Sequence, residues 1–307
     1  LDLSQDKISH FVRGSSSIKM PAELEKNMIH QTMELDIDYE RAGILHKGQK
    51  ATLTTYIKEM YPGMQKPFHR PMVLICPGGG YEMVSFYNEG LQPAQRMERD
   101  GGYKAFILCY RIRPNYYPLP QMDLARAVMY VRAHAAEYQV DPNRIVIVGA
   151  SAGGHLCASE ALLHEELKEN VLENLAKFKK ADMVEQYREI SARPDAVGLL
   201  YPVISFTSEY HEGSYIYNTN EKPGLREKLS VEFHITSDYP MTYAYANADD
   251  GCVPASNTVR LNEALEKAGV KHLCEVYPTG DHGIGLGYHT SAKMWSENML
   301  AFFDQNL

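Results

Sequence analysis

Five consecutive residues, Gly149-Ala150-Ser151-Ala152-Gly153, have the types and spacing of a nucleophilic serine. That chemistry needs a hydroxyl on a very tight strand-to-helix turn, with small neighbours that let backbones approach. Both flanks fit: the apolar run Ile145-Val146-Ile147-Val148 leads in, and an Ala- and Leu-rich segment leaves from Gly154. The competing reading of Ser151 is a plain helix N-cap. A serine that attacks a carbonyl creates an oxyanion, which needs donors. One would be the Ala152 amide, and another would come from a loop after an earlier strand. Pro77-Gly78-Gly79-Gly80-Tyr81 is such a loop, and its glycines leave amides bare and free to turn. Gly79 is the first choice for the inward amide and Gly80 the second. The alternative, a phosphate cradle, would want Lys-Ser or Lys-Thr where Tyr81-Glu82 stands.

Such a serine also needs a base and an acid. Asp249 and Asp250 follow the apolar run 241–246, and the Asp-x-x-Val-Pro pattern of 250–254 favours Asp250, leaving Asp249 to brace the loop. Of twelve histidines, His282 lies in Gly280-Asp281-His282-Gly283, after the run 273–277. It completes the chain order Ser, Asp, His. His155 and His289 are weaker alternatives for the base. Tyr81 and His211 are the candidate substrate-binding side chains. No His, Asp or Glu pair has convincing zinc spacing, and the chemistry requires no cofactor.

Positioning these groups takes a particular framework. Short apolar runs at 72–76, 105–110, 144–149, 196–201, 241–246 and 273–277 lack polar alternation. This suits strands buried on both faces of a parallel sheet. Helical spacing recurs between them, over Gln121–Tyr138, Asn257–Ala268 and Ser291–Asn306, with Gly269 as a C-terminal cap. The fold class read from this alternation is α/β, one doubly wound, mostly parallel sheet with helices on both faces. Residues 1–50 read as an N-terminal arm and first strand. Ala51–Ile57 reads as a strand closed by a turn at Tyr61-Pro62-Gly63. Two stretches break the rhythm. Leu163, Leu167, Val171, Leu175 and Phe178 mark an amphipathic helix or helix pair across 163–190, read as a layer packed on the body, with a lid or dimer contact as the alternative. Residues 202–240 are Tyr-, Ser- and His-rich and irregular, which suits a wall of a substrate pocket.

Composition narrows the partners. The formal net charge of -8 argues against a nucleic-acid partner. No apolar run reaches the roughly 18–20 residues that span a bilayer. The five cysteines are an odd number without a CxxC pair, read as free thiols in a reducing compartment, hence the cytoplasm. The first residues hold no signal-peptide core, although the chain begins with Leu1. A homodimer is the default assembly.

Taken in order, these motifs resemble the esterase/lipase branch of the α/β-hydrolase superfamily. The resemblance is nearest to the acetylxylan esterases and the bifunctional feruloyl/acetylxylan esterases. It spans about residues 50 to 305 and rests on Cys76–Tyr81, Gly149–His155, Ser191–Asp195, Tyr201–Ile204, Ala248–Pro254 and Gly280–Gly283. Many related lipases carry His before the glycine run, where this chain has Pro77. The resemblance implies hydrolysis of short acyl esters, acetyl groups on sugars among them. A serine peptidase on the same fold and a non-catalytic ligand-binding protein are the rival readings.

Overall fold

The computed structural model describes residues 28–29, 32–35, 49–58, 70–178 and 180–307. The expected arm over residues 1–27 and the turn at Tyr61–Gly63 lie outside the described residues.

Among the described residues nine strands form one sheet. They are β1 (Met28–Ile29), β2 (Thr32–Glu34), β3 (Thr52–Lys58), β4 (Arg70–Cys76), β5 (Lys104–Cys109), β6 (Val140–Ala150), β7 (Ala196–Leu200), β8 (Met241–Asn247) and β9 (His272–Tyr277). The spatial order is β1-β3-β5-β4-β6-β7-β8-β9, with β2 also paired to β3. From β5 to β9 every pair is parallel, while β3 runs antiparallel to β5, β1 and β2. After β4 the chain goes outward to β5 and then crosses back to β6, so the order reverses beside β4. Ligands in open α/β sheets bind at such a reversal, beyond the carboxyl ends of the strands. Here those ends lead into Pro77 and Ser151.

The apolar runs are explained by what covers the sheet. Along β4, Met72, Leu74 and Cys76 join one core cluster, and Val73 and Ile75 another. The same split recurs on β6, with Ile145 and Ile147 on one face and Val146 and Val148 on the other. Successive side chains of a strand point to opposite faces, so continuous apolar sequence means a core on each side. Helices Leu119–Ala133, Ala152–Lys177 and Ser256–Ala268 cover the first face. Gln92–Gly101 and Trp295–Asn306 cover the second. The run in β9 is the exception. It lies at the sheet edge, and Leu273 and Val276 are 37% and 47% exposed, so its apolar character does not reflect burial on both faces.

The segment 163–190 continues the helix that leaves Ser151, across a break at Leu163 (φ -109°, ψ 15°), and adds the short helix Ala181–Arg188. Leu167, Val171 and Leu175 pack on Met122, Ala125 and Met129 of the helix Leu119–Ala133. Each such burial contributes roughly 1.5–3 kcal/mol. The stretch 202–240 is more regular than its composition suggests, for it contains the helix Glu212–Thr219 and two shorter turns, Leu225–Lys228 and Val231–Phe233.

Candidate active site

Ser151 stands between β6 and its helix with φ 54° and ψ -119°. Backbone bonds hold this strained turn: the Ser151 amide donates to Leu200 at 2.9 Å, and Val203 donates to the Ser151 carbonyl at 3.1 Å. The two glycines of the pentapeptide are sterically required. A β-carbon on Gly149 would sit 2.1 Å from the Gly153 carbonyl oxygen, and one on Gly153 would sit 2.0 Å from that of Cys76.

Three distant residues then meet. His282 Nε2 lies 2.8 Å from Ser151 Oγ, and His282 Nδ1 lies 2.7 Å from Asp250 Oδ2. The other Asp250 oxygen accepts the Cys252 and Val253 amides at 2.9 and 2.8 Å, which fixes the carboxylate. Nδ1 thus donates to the carboxylate, leaving Nε2 free to accept from the serine hydroxyl. Asp249 points elsewhere. Its Oδ1 accepts the Gly280 and Asp281 amides at 2.8 and 2.9 Å. These backbone donors, Asp281 foremost, hold its carboxyl below the usual range.

The glycine loop lies beside the serine. The Gly78 amide is committed to Glu89 Oε2 at 3.0 Å. Among the described residues no acceptor takes the Gly79 or Gly80 amide. Gly79 has φ 127° and Gly80 φ 65°. A β-carbon on Gly79 would lie 2.3 Å from the Met83 carbonyl oxygen, so only glycine fits. Ala152 opens the helix, where the first amides have no intrahelical acceptor.

His211 reaches the same loop: its Cε1 lies 3.5 Å from where a Gly80 β-carbon would be. Its Nδ1 accepts the Ser214 amide at 3.1 Å, capping the helix Glu212–Thr219, so the ring hydrogen sits on Nε2. Burial pushes its basicity down, with the nearby His282 adding to the effect.

Tyr81 requires a correction as a substrate-binding residue. Its side chain is fully buried, and the phenol donates to His155 Nδ1 at 2.9 Å. His155 Nε2 in turn donates to the Leu229 carbonyl at 2.9 Å. Neither His155 nor the exposed His289 is the histidine on Ser151.

Sequence reasoning missed Glu89 and Tyr201. The Tyr201 hydroxyl donates to Glu89 Oε1 at 2.9 Å, and its ring stands edge-on to His282 with centroids 5.0 Å apart. Tyr201 adopts φ 37°, rare for a non-glycine residue. Its neighbourhood Tyr201–Ile204 carries part of the family resemblance, but no local pattern assigns its hydroxyl to a glutamate 112 positions away. All five cysteines are free thiols.

The family model BD-FAE matches residues 59–265, more than half of the chain. The chain belongs to the BD-FAE family. This BD-FAE member is 30% identical over 233 residues to endo-1,4-beta-xylanase B of Butyrivibrio fibrisolvens, covering 74% of this chain and 34% of that protein. It is 28% identical over 270 residues to an acetylxylan esterase of Xylanibacter ruminicola, covering 85% of this chain and 49% of that one. The chain therefore spans about a third to a half of the length of these curated relatives. Among solved structures it is similar to an acetyl ester-xyloside bifunctional hydrolase from Caldicellulosiruptor lactoaceticus. That match has a TM-score of 0.76 at 29% identity and covers 90% of this chain and 96% of the other. The carboxylesterase Cest-2923 of Lactobacillus plantarum, at 20% identity and TM-score 0.72, shares the fold. Family and fold together give this BD-FAE member the α/β-hydrolase architecture.

Proposed function

We propose that this BD-FAE member hydrolyses short-chain acyl esters through an acyl-serine, with acetyl groups on carbohydrates as the substrate class. The observation that carries the reading is the continuous row from Asp250 through His282 to Ser151, with spacings of 2.7 and 2.8 Å. His282 takes the hydroxyl proton as Ser151 attacks the ester carbonyl, and Asp250 orients the imidazole and stabilises its charged form. Gly79, Gly80 and Ala152 amides receive the oxyanion, each donor contributing about 2.7–4 kcal/mol to the transition state. His282 then returns the proton to the leaving alcohol, and water hydrolyses the acyl-Ser151. In this reading His211, whose Cε1 lies 3.5 Å from where a Gly80 β-carbon would be, offers its Nε2 hydrogen to a substrate oxygen.

The choice of acetyl esters on sugars is supported by the relatives, an acetylxylan esterase and an acetyl ester-xyloside hydrolase. The test is hydrolysis of p-nitrophenyl acetate, butyrate and octanoate, with acetylated xylan beside them. Fast acetate cleavage that disappears in Ser151→Ala is the expected result. Full activity in that variant would overturn the nucleophile. Cleavage of amides in preference to esters would overturn the substrate class.

A further inference from the structure

We propose that the Glu89 carboxylate is a positioning residue that locks the glycine loop and the histidine loop together across the nucleophile. This rests on the reading of Ser151, His282 and the glycine amides as the catalytic groups. Glu89 lies on a short π-helical turn, Phe86–Leu91, between β4 and the helix Gln92–Gly101. π-helical turns are rare and concentrate at functional sites. Its side chain is 5% exposed, and both oxygens are engaged. Oε2 accepts the Gly78 amide at 3.0 Å, and Oε1 accepts the Tyr201 hydroxyl at 2.9 Å.

The direction of these bonds favours the anionic form of Glu89. Gly78 N–H can only donate. Tyr201 Oη accepts the Gly285 amide at 3.2 Å, so the phenol spends its own hydrogen on Glu89. A chain of donors therefore runs from Gly285 through Tyr201, and from Gly78, onto one buried carboxylate. Burial raises the Glu89 pKa, and the bonds from Tyr201 and Gly78 and the nearby His282 oppose that rise. A buried charge that costs desolvation is retained only where such partners compensate it.

What the carboxylate holds is the catalytic geometry. By drawing the Gly78 amide toward itself it sets the rotation of the loop whose next two amides face no acceptor. Glu89 Oε2 and the Ser151 β-carbon lie 2.8 and 2.9 Å from the point a Gly78 β-carbon would occupy, so loop, acid and nucleophile are in direct register. Through Tyr201 the same carboxylate reaches Gly285, three residues after His282, while the Tyr201 ring edge abuts the imidazole. The adjacent Asn88 ties in the same loop, its Nδ2 donating to the Gly283 carbonyl at 2.8 Å. The titratable groups facing Glu89 are His282, Tyr201, Tyr110 and Tyr245. Burial pushes all three phenols far up, so none of them changes charge in the range of an esterase assay.

The experiment compares Glu89→Gln, Tyr201→Phe and the double variant on p-nitrophenyl acetate, with circular dichroism and Tm for each. Gln is isosteric, but it presents an N–H₂ group to one of two donors. Its kcat should fall about 10²-fold with KM little changed, the usual consequence of displacing reacting groups by about 1 Å. Tyr201→Phe, which removes one hydroxyl, should lose about tenfold in kcat. The double variant should fall no further than Glu89→Gln alone, because both act through one chain. Glu89→Gln should also move the acid limb of kcat/KM to lower pH, since an anion beside His282 favours its protonated form, whereas Tyr201→Phe should not. Additive losses, an unmoved acid limb, or full activity in Tyr201→Phe would overturn the inference. Those results would leave the nucleophile reading standing, provided Ser151→Ala is inactive. Activity in Ser151→Ala would instead remove the ground on which both rest.

Discussion

The phenol of Tyr81 donates its hydrogen to Nδ1 of His155, 74 positions along the chain, at 2.9 Å. The bond joins the end of the glycine loop to the nucleophile's own helix. The imidazole donates onward from Nε2 to Leu229, so the residue bridges three segments around the site in its neutral form.

That neutrality has a pH consequence. Burial pushes the His155 pKa down to about 4, against the opposing bond to Leu229. Below about pH 6.5 an unfolded chain protonates this histidine, while the folded one does not until about pH 4. The unfolded state then binds more protons, and stability falls with pH across that window by about 3 kcal/mol from this group. Urea unfolding of wild type and His155→Gln from pH 7 to pH 4 checks it. The variant should be less stable at pH 7 and should show a shallower decline, by about one proton.

Asp250 and Asp249 should separate by kinetics. Asp250→Asn keeps the shape but presents the wrong donor pattern to His282, and kcat should drop on the order of 10⁴-fold. Asp249→Ala removes only the brace on the Gly280 and Asp281 amides. Its loss should be smaller by orders of magnitude and should ease with cooling, as a mobile histidine loop would. Equal losses would mean that the two carboxylates act as one unit.

A methyl group on Gly153 has nowhere to go, because its contact is backbone, the Cys76 carbonyl at 2.0 Å. Gly153→Ala should cost about 3 kcal/mol in denaturant unfolding, and activity should fall with it, since the same turn carries Ser151. A variant of wild-type stability would show that the turn can relax.

The helical extension after Leu163 should prove to be a packed layer. Leu167 is fully buried against the helix Leu119–Ala133. Leu167→Ala should cost 2–5 kcal/mol, as buried Leu→Ala changes do (roughly), while kcat and KM at 25 °C stay near wild type. A large change in KM without loss of stability would favour the lid.

Much of the site was legible because its signals are local. Ser151, its glycines and its strand and helix are neighbours in sequence, and the turn's sterics demand small residues at fixed offsets. Asp250 and His282 were readable because each follows an apolar run, and the strand order of the sheet delivers loops to one edge. Tyr81 was misread for the same reason: membership of the glycine loop says which backbone passes the site, and only packing decides that its side chain turns inward to His155. The helix Glu212–Thr219 was hidden because its cap is His211, a residue outside the usual Ser, Thr, Asp and Asn signals.

The sequence by itself determined the α/β alternation, the strained serine turn and the order of the chemical groups, since these depend on propensity and on contacts a few residues apart. Tertiary structure alone decided which glycine amide is withdrawn by Glu89, and that Tyr201 stands between Glu89 and His282. Those outcomes are set by hydrogen bonds between groups far apart in the chain, whose directions exist only once the sheet has brought the loops to one edge.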